Sequence, residues 1–398
     1  HVELRGGTFI ERAQSYGYLE TALLSDTAGL NVTMRNLGWS ADTVLAESRG
    51  IFDSPQTGYL RMIEHVRAEE PTVIVLSYGQ NEAMSFTGTD EQRSQFRTGL
   101  SKLYDDLHTT GAEIVFLSTH PFLKSAPPLP DASVWNPRLA AVNKVIQGVA
   151  AEKSAHYADL QTDLLSEMRT VRRRLHCDVS PMEDDPESHP ELSQALTSLW
   201  TTNGMHWTAE GYSAIAPVAV SRLSGHPLKL PTLDINPETK TVEAVSGKVS
   251  DVTWDNGSDV LVQFRYQAAS VSALPLMVRL LADRMPQQEW SVTVSVDGTS
   301  QQVLQECRSL RDEPPTFLDD RNDGFEKLRQ LTVRKNELYF HRWRPQNITY
   351  LFGFRKHEQG NNAAEIAMFD PLIHDLEKQL DTLRQPQLQI ITVRRSQR

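Results

Sequence analysis

Cysteine is almost missing from this chain, with only Cys177 and Cys307 among 398 residues. Two thiols exclude a small disulfide scaffold. They leave either one long-range bridge or two free thiols, and the sequence does not choose between them. Long apolar runs are missing as well, and no stretch reaches the roughly 20 residues that a membrane span needs. A basic surplus is absent: 51 acidic against 40 basic residues give a formal net charge of -11. That balance argues against nonspecific nucleic-acid binding, where concentrated Lys and Arg must neutralise phosphates. The one basic run, residues 172–174, is closely followed by acidic residues 183–187 and reads as a solvated face. The chain opens on His1, not Met, which reads as a processed product, so a missing export signal says nothing about the native protein. The sequons at Asn31, Asn256 and Asn347 are no more than any chain of this length carries.

What is present is an apolar share of 39% and a charged share of 23%, the balance of a globular protein with a sizeable core. Residues 1–225 repeat one rhythm. Short β-branched or apolar runs at 2–4, 31–36, 72–76, 113–117 and 156–160 alternate with helical stretches at 11–24, 57–69, 90–109 and 136–153. The unbroken run 72–76 marks a strand buried on both faces, and the alternation predicts a parallel sheet covered by helices, an α/β domain. From residue 226 the rhythm changes to short strand-like runs at 242–245, 249–254, 260–266 and 290–296. We read 226–310 as a small β-rich module with Asp297-Gly298 as a hairpin turn before a strand at 301–304. Residues 311–398 read as an extension of helices at 325–340 and 370–383 around a long ordered loop at 346–369, folding back on the first domain.

In an open α/β sheet, ligands collect where the strands end. Gly7-Thr8 follows the first strand, Gly38 the second, Gly79, Asn81 and Glu82 the third, and His120 the fourth; His206 arrives later, ahead of an apolar run at 215–220. These residue types suit acyl transfer. A hydroxyl on a tight strand-to-helix turn attacks a carbonyl while an imidazole takes its proton, and fixed donors hold the oxyanion. Thr8 and His206 fit the first pair of roles, Gly38 and Asn81 the donors. Gly79, Glu82 and His120 are expected to line the substrate site. Arg355 and His357 in the extension are candidate cationic donors to it. Metal ligation by Glu82, His120, His206 and His357 has no supporting local spacing, so neither a metal nor another cofactor is expected.

Residues 1–225 resemble the SGNH hydrolase superfamily, also called GDSL-type esterases and lipases. Gly6-Gly7-Thr8-Phe9 occupies the place of the nucleophile block, Asn36-Leu37-Gly38-Trp39-Ser40-Ala41-Asp42-Thr43 resembles the second block, and Gly79-Gln80-Asn81-Glu82 the third. Asn203-Gly204-Met205-His206, with Gly211-Tyr212, resembles the Asp-x-x-His block. The resemblance implies a three-layer flavodoxin-like α/β/α fold and ester hydrolysis, with Thr8, His206 and Asn203 at the triad positions and Gly38 and Asn81 in the oxyanion hole. The whole chain, through residues 340–347, also resembles uncharacterised secreted proteins of planctomycete-like bacteria. That likeness implies export to a secreted or periplasmic location and a small-molecule or saccharide ester as partner.

Two triad positions depart from the family pattern. Thr8 replaces the serine, and its extra methyl stiffens the side chain and crowds the attack path. Asn203 replaces the aspartate; its amide oxygen accepts an imidazole N–H but cannot neutralise an imidazolium. Three explanations remain open on the sequence. Thr8 is a slow or specialised nucleophile, a carboxylate such as Glu82 or Glu210 orients His206, or a degenerate pocket binds carbohydrate without turnover. Ser40 and Ser77 are weaker candidates for the hydroxyl.

Overall fold

The computed structural model of the protein describes residues 1–50, 53–85, 88–125, 127–129, 131–176, 198–254, 259–281, 289–296, 300–307, 314–319, 323–358, 362–385 and 387–395. The acidic stretch, Cys177 and the Asp297-Gly298 turn lie outside these residues. Cys307 is disulfide-bonded.

Strands β1 (Val2–Gly6), β2 (Met34–Asn36), β3 (Val73–Ser77), β4 (Glu113–Leu117) and β5 (His156–Ala158) form one parallel sheet in the order β2-β1-β3-β4-β5. This is the flavodoxin-like order, with its switch point between β1 and β3. The period-2 alternation of β3 explains why the sheet needs helices on both faces. Val75 packs into one core with Phe9, Leu19 and Ile215, while Ile74 and Leu76 pack into the other with Met62, Leu103 and Ile146. Helices α1 (Thr8–Tyr16), α2 (Tyr18–Asp26), α7 (Leu164–His176) and α8 (Ala209–Ser224) supply the first layer. On the other face lie α3 (Pro55–Glu69), α4 (Gln80–Ser85), α5 (Asp90–His108) and α6 (Ala132–Glu152). Start signals are local. Ser54 caps α3 with Pro55 at its first position, and Thr89 and Gln92 form a reciprocal capping box on α5.

The β-rich module is a sandwich. One sheet runs β13-β14-β10-β6-β7 and the other β12-β11-β15-β9-β8; Leu233, Ile235 and Val278 face Phe264, Val292 and Ile391 across the core. Its strands are β6 (Thr232–Asn236), β7 (Thr241–Ala244), β8 (Lys248–Trp254), β9 (Val260–Gln267), β10 (Met277–Leu280), β11 (Trp290–Val296), β12 (Ser300–Val303), β13 (Gln305–Cys307), β14 (Thr316–Leu318) and β15 (Leu388–Arg395). The expected boundary at residue 310 therefore needs correction. β15 returns from the end of the chain to pair antiparallel with β11 and β9 at the centre of its sheet. The residues expected as a long loop also contain a short helix, α10 (Ile348–Leu351), and a 3-10 segment at Asn362–Met368.

Helices α9 (Asp323–Trp343) and α11 (Phe369–Leu383) do pack back on the first domain. Lys335 is fully buried, pairs with Glu20 on α2 and donates to the Met34 carbonyl at 2.8 Å. Arg35 pairs with Glu377, and Tyr339 and Ile373 close over Leu37. Arg174, read from sequence as part of a solvated face, is instead buried. It donates to Pro275 O at 3.2 Å, to Thr232 Oγ1 at 2.9 Å and to Pro231 O, tying α7 to the sandwich.

Candidate active site

Thr8 is the first residue of α1, directly after β1 and Gly7. Its hydroxyl oxygen accepts the Ala41 backbone N–H at 3.1 Å. Ala41 sits in the loop after β2 with φ of 59°, a left-handed conformation that costs a residue with a Cβ and persists only where its surroundings enforce it. They do so here. Trp39 N–H bonds Gly6 O at 2.9 Å, Val44 N–H bonds Glu82 at 2.9 Å, and Asn81 Nδ2 donates to the Asp42 carbonyl at 2.7 Å. The Asp42 carboxylate is held by Arg49 at 2.8 Å and by the Tyr78 hydroxyl at 2.9 Å. Two guanidinium groups approach the Trp39 ring, Arg344 at 3.5 Å and Arg49 at 4.9 Å from its centroid. Arg344 also pairs at 2.7 Å with Glu11, whose carboxylate accepts from Ser40. The extension thus reaches the loop that carries Ala41.

Gly38 does not enter this pocket. Its N–H is committed to Asn36 Oδ1 at 3.0 Å, and a Cβ on it would run into the backbone of α1 at Glu11. Its glycine is explained by helix packing, and the backbone N–H beside Thr8 is that of Ala41. Gly79 is likewise structural. It has φ of 108°, and a Cβ there would meet Val142 of α6 at 2.5 Å. Glu82 is buried and accepts the Gly79 and Val44 N–H groups, each at 2.9 Å; burial raises its pKa to about 7. Both carboxylate oxygens hold backbone, so Glu82 neither faces substrate nor orients His206.

The loop 203–206 fixes the imidazole. Asn203 Oδ1 accepts the Met205 N–H at 3.2 Å and the His206 N–H at 2.8 Å, which leaves its Nδ2 facing His206 Nδ1 at 3.4 Å. An amide NH2 only donates, so Nδ1 is the acceptor and the ring carries its proton on Nε2. Burial, and next the Arg12 guanidinium, hold the His206 pKa below its ordinary value. His120 has the opposite arrangement. Its Nδ1 faces the Pro121 carbonyl at 3.1 Å and must donate, so Nε2 presents a lone pair, buried without a partner. Burial pushes its pKa down to about 4. The ring is wedged between Phe9 and Trp207, both at 5.1 Å between centroids.

Thr8, Asn81, His120 and His206 line one small cavity of about 10 Å³, with Phe9, Trp207 and Tyr212 as its apolar walls. That is room for about one water molecule. Among the described residues, Thr8 makes no hydrogen bond to His206. Arg355 and His357 are elsewhere, Arg355 paired with Glu358 at 2.8 Å over the Tyr350 ring, and His357 exposed. No group of three His, Cys, Asp or Glu side chains among the described residues is arranged to hold a metal. Arg12 and Gln80 line the same cavity and Ala41 contacts Thr8, and sequence reasoning gave none of the three a place there. Arg12 had a legible signal, its place one helical turn after Thr8. A larger cavity, about 460 Å³, lies beside Tyr266, Lys327 and Gln389, and no histidine lines it.

Residues 6–214, more than half of the chain, match the GDSL-like Lipase/Acylhydrolase family. Among solved structures, BT4096, a gut microbial diltiazem-metabolizing enzyme, matches with 11% identity and a TM-score of 0.60 over 99% of this chain and 97% of that one. Two others cover a little over half of this chain. Axe2, an acetylxylan esterase from Geobacillus stearothermophilus, matches with 14% identity, a TM-score of 0.38 and coverage of 57% and 94%. The acetyl xylan esterase AlAXEase matches with 16% identity, a TM-score of 0.39 and coverage of 56% and 99%. No curated protein matches the chain. The chain belongs to the GDSL-like lipase/acylhydrolase family and is an ester hydrolase of the SGNH type.

Proposed function

We propose that the chain removes a small acyl group, acetate in the first instance, from an acetylated saccharide. Thr8 attacks the ester carbonyl, and the Ala41 N–H stabilises the oxyanion. Asn81 adds a second donor, since only one of its two amide hydrogens is needed for the Asp42 carbonyl. His206 takes the threonine proton and returns it to the leaving alcohol. The observation that carries this reading is the Ala41 N–H at 3.1 Å from Thr8 Oγ1, in a pocket that His206 and Asn81 also line. The acyl group is small because the cavity is small and walled by aromatic rings. A polyol is favoured as the alcohol because the Gln80 amide is buried at both ends without a partner and suits sugar hydroxyls. The Cys307 disulfide supports export to an oxidising compartment.

In the resting state His206 presents a proton on Nε2, so a productive encounter requires the other tautomer. Turning Asn203 to accept from Nδ1 sacrifices its bonds to two backbone N–H groups. Turnover by this Thr-His-Asn set is therefore slow. The test is a panel of aryl and sugar acetates assayed on wild type, Thr8→Ala, Thr8→Ser and His206→Ala. Thr8→Ser is expected to keep or raise kcat, and both alanine variants to lose turnover. Unchanged hydrolysis by His206→Ala would end the mechanism.

A further inference from the structure

The charge inside the pocket is unlike that of the chain. The protein carries 51 acidic residues, yet no Asp or Glu lines this cavity, and its one permanently charged side chain is Arg12. Arg12 stands one turn after Thr8 on α1, so the two side chains leave the same helix face. Other guanidinium groups near the site have carboxylate partners, Arg49 with Asp42 at 2.8 Å and Arg344 with Glu11 at 2.7 Å. Arg12 has none among the described residues. One terminal nitrogen donates to the Tyr16 hydroxyl at 3.3 Å, and its buried Nε has no partner. The neighbouring Glu11 does not compensate it, because that carboxylate is held by Arg344 and Ser40. Half-burying a guanidinium without a counter-ion is unfavourable unless something anionic arrives to pair with it.

We propose that Arg12 is the anchor for a carboxylate on the substrate, so that the preferred esters are acetylated acidic saccharides of the uronate type. The inference rests on the esterase reading of the same pocket and narrows its substrate class. The planar guanidinium fork matches a carboxylate with two parallel N–H donors. Its position one turn beyond Thr8, half-buried while the acyl cavity is closed by aromatic rings, places that carboxylate on the alcohol side of the ester. The Gln80 amide, unpartnered in the same cavity, is left for the neighbouring hydroxyls. Arg12 also lowers the His206 pKa, but that effect is common to every ester, so its part in holding the carboxylate is read in the ratio between two esters.

Two esters that differ only in the carboxylate, the monoacetates of methyl glucuronoside and methyl glucoside, separate this role from general damage. Both are assayed for kcat and KM on wild type, R12Q and R12K, with Tm recorded for each variant. Wild type is expected to prefer the glucuronoside by about tenfold to a hundredfold in kcat/KM, chiefly through KM, with the preference shrinking as salt is added. R12Q should bring the ratio to about one, and R12K should retain an intermediate preference. A wild-type ratio near one, or a preference that survives in R12Q, overturns the inference. If wild type cleaves neither ester, the acetyl-saccharide reading fails separately, and calorimetric titration with sodium glucuronate and with glucose decides Arg12. Glucuronate binding that R12Q loses sustains the anion site; no difference between the two sugars ends it.

Discussion

Asn203 differs from an aspartate only in an NH2 where a second carboxylate oxygen would be, and that group decides which nitrogen of His206 carries the proton. Asn203→Asp keeps an oxygen for the two backbone N–H groups and turns a second toward Nδ1, now as an acceptor. We expect kcat on an aryl acetate to rise by roughly 10² to 10⁴, the scale on which the reverse change acts in a serine protease; an unchanged or lower kcat speaks against the tautomer argument. The pH profile has a definite sign. His206 must be neutral to act, and its pKa is depressed by burial and by Arg12, so the acid limb of kcat/KM should lie below the ordinary histidine value of about 6.5. A limb above that value contradicts the assignment. At this scale the sequence was legible in placing side chains, since Thr8, Asn81 and His206 do meet at one cavity. It misled in placing backbone. Gly38 looks like an oxyanion glycine, but its amide is spent on Asn36, and the N–H that reaches Thr8 Oγ1 belongs to an alanine in a left-handed conformation. No residue pattern announces that an alanine will adopt glycine's backbone.

The strand-to-helix turns place these groups, and the loop after β2 is the element with most to lose. It is held from three directions: Asn81 and Glu82 from beyond β3, Arg49 within the loop region, and Arg344 from the extension. Arg344→Ala removes the nearer of two guanidinium faces on Trp39 together with the Glu11 pair. We expect kcat to fall by about tenfold with KM little changed, because the Ala41 donor is misplaced and no substrate contact is lost. Arg344→Lys should recover little, since an ammonium does not stack as a plane. A change confined to KM would assign Arg344 to substrate binding instead. Strands such as β3 and β4 were readable because burial on both faces makes them continuous apolar runs. β15 was not, because its alternation acquires meaning only between β9 and β11, whose residues lie far earlier in the chain.

Across the whole molecule, the extension and the first domain form one unit through buried charge. Lys335 lies fully buried against Glu20 and the Met34 carbonyl, with burial lowering its pKa. Lys335→Ala strands the Glu20 carboxylate and should cost about 3–5 kcal/mol in denaturant unfolding, whereas replacing Lys335 by Met and Glu20 by Leu together should recover most of that loss. A single-variant cost near zero would mean that α9 contributes little to the fold of residues 1–225. In the sequence, a return of the extension to the first domain was suggested only by the long stretch at 346–369 that has no clean period. The buried Arg174 was not legible, since three consecutive arginines look alike until one of them meets the Pro231 and Pro275 carbonyls, contributed by two distant segments that lead into β6 and β10.

The proposed catalysis turns on where His206 keeps its proton, and nitrogen NMR of the imidazole rings reads that directly. In wild type at neutral pH, His206 should be protonated on Nε2 and His120 on Nδ1; in Asn203→Asp, His206 should move its proton to Nδ1 while His120 stays as it was. A wild-type His206 already protonated on Nδ1 would contradict the assignment and leave Thr8 as the one remaining cause of slow turnover.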